Sequence, residues 1–561
     1  MSHEAMFAGK TWVITGALKD ISRKEATRQL EAKGASVTGS VTSKTDYLVS
    51  AGYDPSNVRF LSTKEIKARQ HEIPIFNEPQ LLTILAGGTL DAVEALAPVV
   101  EPVEEVAVRD ALEQFRDLLY ETPDWQTWET ICELVDQCSP VDLPVVVDYV
   151  AGNVEGWPEQ YTLSQAHHYG LESHRLLPDR WRHDLYLGVD SVKLKLVRVA
   201  NLNSAKLDTK VGLKVLSCRS LCNLRLLDLG RNKLTAAFFS ALGQAEQFKG
   251  VRHLRLGGTT FNAAAAKAFE GGSVLAGVES LVLDSSTFKG GSLTTFLGAP
   301  CWGALRSLSA SWVRSEGGDV LAALYNAPHI DKLEMLDLSS MRCASSSSVV
   351  KLCSDARYAG LRRLHLGAAP LGDAGVEALK GASWLGHLEE LDLTQVTGDE
   401  RLAELLGSAS MPALEVLRVG VGLEAICGNE GLWPRQLVFR GHLDEGGLEV
   451  LLASELLGRL EGLSLLGGAP TGALVRLLRS PATAGLTHLA VASERIGAEA
   501  VEAMVHGQHL VKLGSVGSSL GDDLTRAHVE AFKGAEHLSE PLREELGRQL
   551  QWHVDYLERR P

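Results

Sequence analysis

Leu224–Leu229 (LRLLDL), Val251–Leu256 (VRHLRL) and Val278–Leu283 (VESLVL) repeat one pattern, with apolar residues at the first, fourth and sixth positions. The pattern starts again at Leu305, Leu333, Leu361, Leu388, Leu414, Leu460, Leu486 and Leu510. The first eight starts follow one another at 27, 27, 27, 28, 28, 27 and 26 residues. A fixed period in this range is typical of stacked units of one strand and one helix each. The sequence therefore predicts an α/β array of repeats over residues 191–538.

The segments between these strands contain helix-forming runs such as AAFFSAL and DAGVEALKGA. With the leucine spacing, they resemble the leucine-rich-repeat family, and the unit length is similar to that of its ribonuclease-inhibitor-like class. This resemblance implies a solenoid with a parallel sheet on the concave side and helices on the convex side. Weaker copies at Leu194 and Leu437 fit the same register.

The sequence departs from the family at the turn after each strand. The family usually has Asn or Cys three residues after the last leucine of the motif, and Asn232 fits this rule. The equivalent positions elsewhere hold Thr259, Ser286, Val313, Met341, Ala369 and Val396. We therefore expect turns that are less uniform than those of regular family members.

Strand alternation predicts which side chains of the repeats leave the core. Successive residues of a strand point to opposite faces, so the third and fifth positions of each motif should face the concave surface. The prominent residues at these positions are His253, Arg255, Met335, Asp337, Arg363, His365, Glu390, Asp392 and Arg418. Their mixture of charges favours a protein partner on this face, and the alternative is a solvated sheet face without a partner.

The first 86 residues follow a different pattern. Short β-rich runs at residues 11–15, 36–39, 47–49 and 73–76 alternate with helical segments that begin near Ser22, near Ser62 or Thr63, and near Pro79. Strands that alternate with helices are typical of a small α/β domain with a largely parallel sheet.

Residues 6–86 carry a second resemblance. FAGKTWVITG, then KGA, then SKTDYLV, then KA and IP in order resemble a BRCT domain of the kind found at the C-terminus of bacterial NAD-dependent DNA ligases. The resemblance implies a binding module, in which many members hold a phosphate. The matching positions here are Thr15, Gly16 and Lys64, with Ser62 or Thr63 beside it. No KxDG motif for ligase chemistry occurs in the chain.

A hydroxyl, a backbone N–H and an ammonium at a helix N-terminus suit an anion. The alternative is that Thr15 and Ser62 only satisfy turn and cap backbone while Lys64 is solvated. Charge favours the first interpretation for this domain. The whole chain has a formal net charge of −15, whereas residues 1–85 hold 11 Lys and Arg against 9 Asp and Glu, a net of +2. We expect this domain, rather than the repeats, to contact a phosphoprotein or a DNA end.

Three further segments complete the chain. Residues 87–106 contain Pro98 and Pro102 with five acidic residues and no Lys or Arg, as expected for an extended linker. Residues 107–190 show helical stripes such as Trp128, Ile131 and Val135, and are predicted to form a helical domain that caps the first repeat. Residues 539–561 are predicted to form the C-terminal capping helix.

The residues favour binding over catalysis. Gly517–Gly521 (GSSLG) matches the GxSxG nucleophile elbow, and Asp522, Asp523 and His528 follow it. We expect it to lie in an ordinary turn of a late repeat, so a hydrolase that uses Ser519 is only an alternative. His167, His168, His174 and His183 lack metal-ligand spacing. Neither a catalytic residue, a metal nor a cofactor is predicted.

The composition places the protein in the cytoplasm. Its eight cysteines form no CxxC pair, as expected for reduced thiols, and neither a signal peptide nor a membrane-spanning run is apparent. The sequence predicts a non-enzymatic cytoplasmic adaptor, with a phosphoprotein or DNA end at the BRCT domain and a protein partner on the repeats. Self-association through the BRCT domain is the other alternative.

Overall fold

The computed structural model describes residues 6–15, 18, 20–42, 44–51, 64, 68, 73–88, 108–120, 125–154, 157, 176–316, 320–327, 330–340, 346–396 and 399–558. The chain divides into two compact units. The first unit comprises Met1–Asn201, Leu207–Arg225 and Ala245–Gly250, and the second comprises Leu202–Lys206, Leu226–Gln244 and Val251–Pro561.

The N-terminal domain of the first unit is built on a four-stranded parallel sheet. Its strands are β1 (Thr11–Thr15), β2 (Ser36–Thr38), β3 (Tyr47–Ser50) and β4 (Ile75–Phe76), in the order β2-β1-β3-β4. The helices α1 (Arg23–Ala32) and α2 (Glu78–Leu85) follow β1 and β4. The predicted small α/β domain with a parallel sheet is confirmed.

An aromatic cluster around Trp12 forms the core of this domain. The Trp12 ring is fully buried and lies 6.0 Å from Phe7, 4.7 Å from Tyr47 and 5.9 Å from Phe76, measured between ring centroids. Its indole N–H donates a 3.1 Å hydrogen bond to the carbonyl of Met6. Burial of one such large ring, with its polar atom satisfied, contributes on the order of 3 kcal/mol to stability.

The helices α1 and α2 of this domain are capped in different ways. Ser22 accepts a 3.2 Å hydrogen bond from the Glu25 N–H, but the Glu25 carboxylate binds Arg28 rather than the Ser22 backbone. A complete capping box occurs at α2 instead. There, Asn77 accepts from the Gln80 N–H at 3.0 Å, and Gln80 accepts from the Asn77 N–H at 2.9 Å.

The helical segment contains Val108–Tyr120, Trp125–Gln137, Leu143–Asn153 and Asp179–Leu187. Trp128, Ile131 and Val135 are buried on one face, as their spacing predicts. Trp128 donates to the carbonyl of Leu176 at 2.8 Å, and Leu176 forms a parallel bridge to Val199 in the first repeat strand, Val199–Asn201. Within this unit, the helical segment therefore packs on the first repeat. Residues 89–106 of the predicted linker lie outside the described residues.

The described residues of the second unit contribute twelve strands to one parallel sheet, and each strand pairs with the next. They are Leu226–Asp228, His253–Arg255, Ser280–Val282, Ser307–Ser309, Met335–Asp337, Arg363–His365, Glu390–Leu393, Val416–Val419, Gln436–Phe439, Gly462–Leu465, His488–Ile496 and Ser515–Leu520. Each strand begins within the leucine pattern. The weaker copy at Leu437 is also a strand, so the predicted leucine-rich-repeat solenoid is confirmed.

Helices follow the strands in every repeat. In the first unit the helix is Thr209–Ser217. In the second unit the helices are Ala236–Leu242, Ala263–Lys267, Ser292–Leu297, Val320–Tyr325, Ser346–Ser354, Gly372–Lys380, Asp399–Ser408, Leu423–Cys427, Glu445–Ala453, Glu455–Arg459, Ala473–Arg479, Ala498–His506 and Arg526–Lys533. A small parallel sheet of Thr260–Phe261, Thr287–Phe288 and Arg314–Ser315 lies between the strands and helices of three repeats.

The turns after the first eight strands of the repeats are more regular than their side chains suggest. One residue there adopts a positive φ in successive repeats: Ser204, Arg231, Gly258, Ser285, Trp312, Ser340, Ala368 and Gln395. Asn232 donates to the carbonyls of Leu202 and Leu229, as the family pattern implies. Val313 and Val396 occupy the same position without that ability, yet the preceding residue keeps its left-handed conformation. Strand pairing on both sides therefore holds the turn, and the expected irregularity is not seen in these backbones.

The C-terminal helix Glu540–Glu558 closes the second unit. Leu542, Leu546, Leu550 and Val554 are buried on one face. Ser539, just before the helix, donates a 2.6 Å hydrogen bond to the carbonyl of Leu513. Of the helices that the structure describes, none has the length and apolar character needed to cross a membrane.

Candidate binding surfaces

The strand register brings the predicted concave residues together in two adjacent rows. Met335 pairs with Arg363, which pairs with Glu390, and one row further Asp337 pairs with His365, which pairs with Asp392. Sequence alternation predicts solvent exposure for both rows. However, Met335, Asp337, His365 and Glu390 are buried, whereas His253, Arg255, Arg363, Asp392 and Arg418 are partly exposed. Because strands stack only about 4.8 Å apart, neighbouring side chains cover one another.

A charged network occupies the buried part of this face. His365 Nε2 lies 2.9 Å from a carboxylate oxygen of Glu390, and His365 Nδ1 lies 3.7 Å from Asp337. The guanidinium of Arg418 binds the same Glu390 oxygen. Asp337 is fully buried and the Glu390 side chain is 7% exposed, so each carboxylate needs a cationic partner.

The network shifts the pKa values of its members. Burial alone would lower the pKa of His365, but hydrogen bonds and charges from Asp337 and Glu390 raise it to about 9. Burial would raise the pKa of Glu390, but His365 and Arg418 lower it to about 2. At neutral pH the imidazolium is therefore charged between two carboxylates. The spacing of these residues in the sequence could not reveal the ion-pair network, because His365 contacts Glu390 diagonally and not as its register partner on the next strand.

Three concave carboxylates, including Asp337 of the network, are also bonded to the turns that follow their strands. Asp228 accepts from the Gly230 N–H at 2.9 Å, Asp337 from the Ser339 N–H at 2.8 Å, and Asp392 from the Thr394 N–H at 2.9 Å. The signal for this role is present in the sequence as LDLG, LDLS and LDLT, since Asp two residues before a turn N–H favours such a bond. These carboxylates therefore stabilise the backbone of the turns.

Two arginines on the concave face differ from these carboxylates in their bonding. Among the described residues, neither Arg255 nor Arg363 has an ion pair or a side-chain hydrogen bond, and both are half-buried. The neighbouring His253 is neutral at pH 7, because burial, assisted by the charges of Arg255 and Arg252, lowers its pKa to about 4. The concave face therefore keeps open cationic groups although the chain is acidic.

The anion site predicted in the N-terminal domain is described only in part. Thr15 lies half-buried at the end of β1, and Lys64 is a half-buried helical residue. Gly16, Ser62 and Thr63 lie outside the described residues, so the geometry of the set stays a prediction. An ion pair that the sequence did not suggest joins Lys10 to Asp46 at 2.8 Å, and Asp46 also accepts from the Thr11 N–H at 2.9 Å.

Ser519 does not lie in the turn expected from the sequence. It is an exposed residue of the strand Ser515–Leu520, in register with Arg495. Asp522 pairs with Arg495 at 2.9 Å, and Asp523 accepts from the Ala498 N–H at 3.0 Å. The acidic residues that follow the GxSxG pattern thus bind other groups. An extended strand also lacks the strained backbone of a nucleophile elbow.

Within the part of the chain that the structure describes, no group of three or more His, Cys, Asp or Glu residues could hold a metal ion. The described cysteines are all free. His167, His168 and His174 lie outside the described residues.

The N-terminal domain is similar to known proteins. Residues 2–85 match the BRCA1 C Terminus (BRCT) domain family. A stretch of 81 residues is 44% identical to a DNA ligase of Roseiflexus sp. (strain RS-1), over 14% of this chain and 10% of the ligase. A stretch of 86 residues is 43% identical to a DNA ligase of Desulfosudis oleivorans, over 15% of this chain and 12% of the ligase. The chain thus spans about a tenth of the length of these relatives, and its first 85 residues form a BRCT domain.

A solved structure is similar to the repeats. An internalin from Listeria monocytogenes is 17% identical, with a TM-score of 0.30, over 53% of this chain and 80% of that chain. The assignment of the leucine-rich repeats rests on the strand pairing described above.

Proposed function

We propose that this protein is a non-enzymatic cytoplasmic adaptor with two binding surfaces. The BRCT domain binds a phosphorylated protein or a DNA end, and the concave face of the repeats binds a second protein. The observation that carries the proposal is the concave face itself. Successive parallel strands present partly exposed His253, Arg255, Arg363, Asp392 and Arg418 on one surface. Stacked repeats generally use such a surface to bind a partner.

The BRCT half of the proposal is supported by charge and by residue type. Residues 1–85 carry a net charge of +2, whereas the whole chain carries −15. Thr15 and Lys64 offer a hydroxyl and an ammonium, which are the groups that hold a phosphate in many BRCT domains. The absence of a catalytic role is inferred from the bonds that Asp522 and Asp523 already make near Ser519.

Two substitutions in the full chain test the two surfaces separately. Lys64→Glu should weaken binding of a 5′-phosphorylated DNA end or a phosphopeptide by about ten-fold, because it removes a cation and adds a repelling charge. Gln436→Trp should block capture of the native protein partner by the repeats, since Gln436 is exposed on the concave face. Fluorescence anisotropy and affinity purification from the native cell measure the two effects.

Matched controls come from exposed residues elsewhere. Lys24→Glu on α1 changes charge as Lys64→Glu does, and Gln244→Trp after the helix Ala236–Leu242 adds the same bulk as Gln436→Trp. Both controls should bind like the unsubstituted chain. The proposal fails for a surface whose test variant and control bind equally well.

A further inference from the structure

The concave face has an asymmetry between its acidic and basic side chains. Asp228 and Asp337 bond to backbone N–H groups, and Glu390 is held by His365 and Arg418. Asp284 likewise accepts from Ser309 at 2.6 Å and from the Ser311 N–H at 3.1 Å. The hydrogen-bonding capacity of these carboxylates is therefore directed into the fold.

Arg255 and Arg363 contrast with these acids. Neither guanidinium is bonded to any residue that the structure describes, and both keep partial contact with solvent. A guanidinium presents five N–H donors in a planar fork that matches a carboxylate or a phosphate. Arg255 lies in register beside the carboxylate of Asp228 and acts on it only through its charge. The N–H donors of both half-buried guanidinium groups therefore remain unbonded within the described fold and suit an anion on the concave side.

The spacing of the two arginines sets the size of the ligand. Their strands, His253–Arg255 and Arg363–His365, are separated by Ser280–Val282, Ser307–Ser309 and Met335–Asp337. Four steps of about 4.8 Å between strands give a separation of roughly 19 Å. An extended segment of about six residues spans that distance.

The surface between the arginines is low and carries little exposed negative charge. The concave residues there include Ser280, Ser307 and Ser309, which are short, and Asp337, which is fully buried. A peptide backbone can therefore lie across these strands without meeting a large side chain, and the partly exposed carboxylate of Asp284 is already bonded to Ser309 and to the Ser311 N–H. Trp312, in the turn after the middle strand, is 51% exposed and offers an apolar contact at that edge of the sheet. Arg and Trp are enriched among the residues that dominate binding energy at interfaces.

We propose that the concave face binds an acidic, extended protein segment of about six residues, with Arg255 and Arg363 each taking one carboxylate. This inference rests on the proposed function of the repeats and specifies the chemistry of their partner. The segment lies across the strands Ser280–Val282 and Ser307–Ser309. The negative charge of this segment is opposite to the charge of Arg255 and Arg363. The segment has the same sign of charge as the chain as a whole, so recognition depends on the local surface around the two arginines.

The test uses a fluorescein-labelled octaglutamate peptide and the full chain. Fluorescence anisotropy at low ionic strength should show binding that weakens as salt is added, since screening reduces charge attraction. Arg255→Gln with Arg363→Gln should weaken it by at least about ten-fold. Neither arginine is bonded within the described fold, so the double variant should keep the circular dichroism and melting profile of the unsubstituted chain.

The control removes equal charge from the other side of the repeats. Lys351 and Lys380 are exposed on the helices Ser346–Ser354 and Gly372–Lys380, and their double replacement by Gln should leave octaglutamate binding unchanged. Lys64→Glu should also leave it unchanged. Loss of binding in either of these variants equal to that of the arginine pair overturns the inference.

The outcomes also separate this inference from the proposed function. If octaglutamate does not bind, or binds equally after both arginines are replaced, the acidic-segment inference is wrong. In that case the concave face is still the binding surface, provided that Gln436→Trp blocks capture of the native partner and Gln244→Trp does not. If Gln436→Trp has no effect on capture, the proposed function of the repeats fails as well.

Discussion

Two stretches of the same parallel sheet use their concave side chains in different ways. The upstream stretch, from Leu226–Asp228 to Ser307–Ser309, presents the half-buried His253 and Arg255 followed by serines. The downstream stretch, from Met335–Asp337 to Val416–Val419, holds a continuous charged network in which Asp337, His365 and Glu390 are buried and Arg418 is partly exposed. Arg363 is the downstream exception, because it has no bonded partner among the described residues.

The difference shows that one backbone register supports two uses of charge. A charge that meets a complementary side chain on the next strand becomes part of the fold, and removing its partner is costly. Arg255 and Arg363 also have a carboxylate in register on an adjacent strand, namely Asp228 and Glu390. Those carboxylates are bonded to other groups, so the two guanidinium groups stay available to a ligand. Sequence position within the motif is identical in the two cases, so neighbouring repeats decide the outcome. In a solenoid each repeat contacts only its neighbours, and effects of substitution should therefore be local.

His365→Leu should have the largest effect on local stability in the downstream stretch. It leaves Asp337 and Glu390 buried without the imidazolium between them. We expect a loss of about 3–5 kcal/mol of local stability, the range for removing one partner of a buried ion pair. Hydrogen exchange of the strands Met335–Asp337 to Glu390–Leu393 measures this loss as the free energy of opening.

Arg255→Leu is the matched change in the upstream stretch. Because Arg255 makes no ion pair or hydrogen bond in the described fold, its replacement should change the opening free energy by no more than about 0.5 kcal/mol. Equal losses for the two variants would contradict the distinction between a structural and an available charge.

The two histidines should give the stretches opposite responses to pH. The pKa of His365 is raised to about 9, so its stabilisation is complete below the ordinary value of 6.5 and is lost as pH rises through 9. The pKa of His253 is lowered to about 4. Its neutral form is favoured in the fold, so the upstream stretch should lose stability as pH falls from 6.5 through 4. The upper limit of each change is roughly 3 kcal/mol.

Hydrogen exchange corrected for its intrinsic pH dependence, stretch by stretch, checks this contrast. His365→Gln should remove the alkaline loss downstream, and His253→Gln should remove the acid loss upstream between pH 6.5 and 4. Below pH 4.5 the downstream stretch should also weaken, because Glu390 has a pKa lowered to about 2. The same pH response in both stretches would show that the histidines do not determine local stability.

Much of the fold could be predicted from the sequence because it depends on local repetition. The leucine spacing locates the strands, and the run Thr11–Thr15 together with Tyr47–Val49 indicates the sheet of the BRCT domain. These signals are apolar positions at fixed intervals, and burial of such residues is the main driving force for folding.

The candidate surface was less predictable because it depends on contacts between repeats. Alternation correctly placed His365 and Glu390 on one face, but it could not show that they bond diagonally and become buried. It also gave Arg255 the same description as Arg418, although only Arg418 forms an ion pair with a carboxylate in the described fold. These differences depend on side-chain length and on the residue that the adjacent strand supplies.

The smallest expected effect on stability concerns the left-handed turn residue that the two stretches have in common. Gly258 upstream and Gln395 downstream have φ values of 67° and 56° at equivalent turn positions. The left-handed region costs a non-glycine residue about 1–2 kcal/mol, and glycine loses about 0.5–1 kcal/mol through its greater freedom when unfolded. Gln395→Gly should therefore raise local stability by about 0.5 kcal/mol, whereas Gly258→Ala should lower it by about 1 kcal/mol. Local hydrogen exchange can resolve the two signs. If both substitutions destabilise equally, side-chain contacts rather than the common backbone determine these turns, and the two stretches differ in more than their charges.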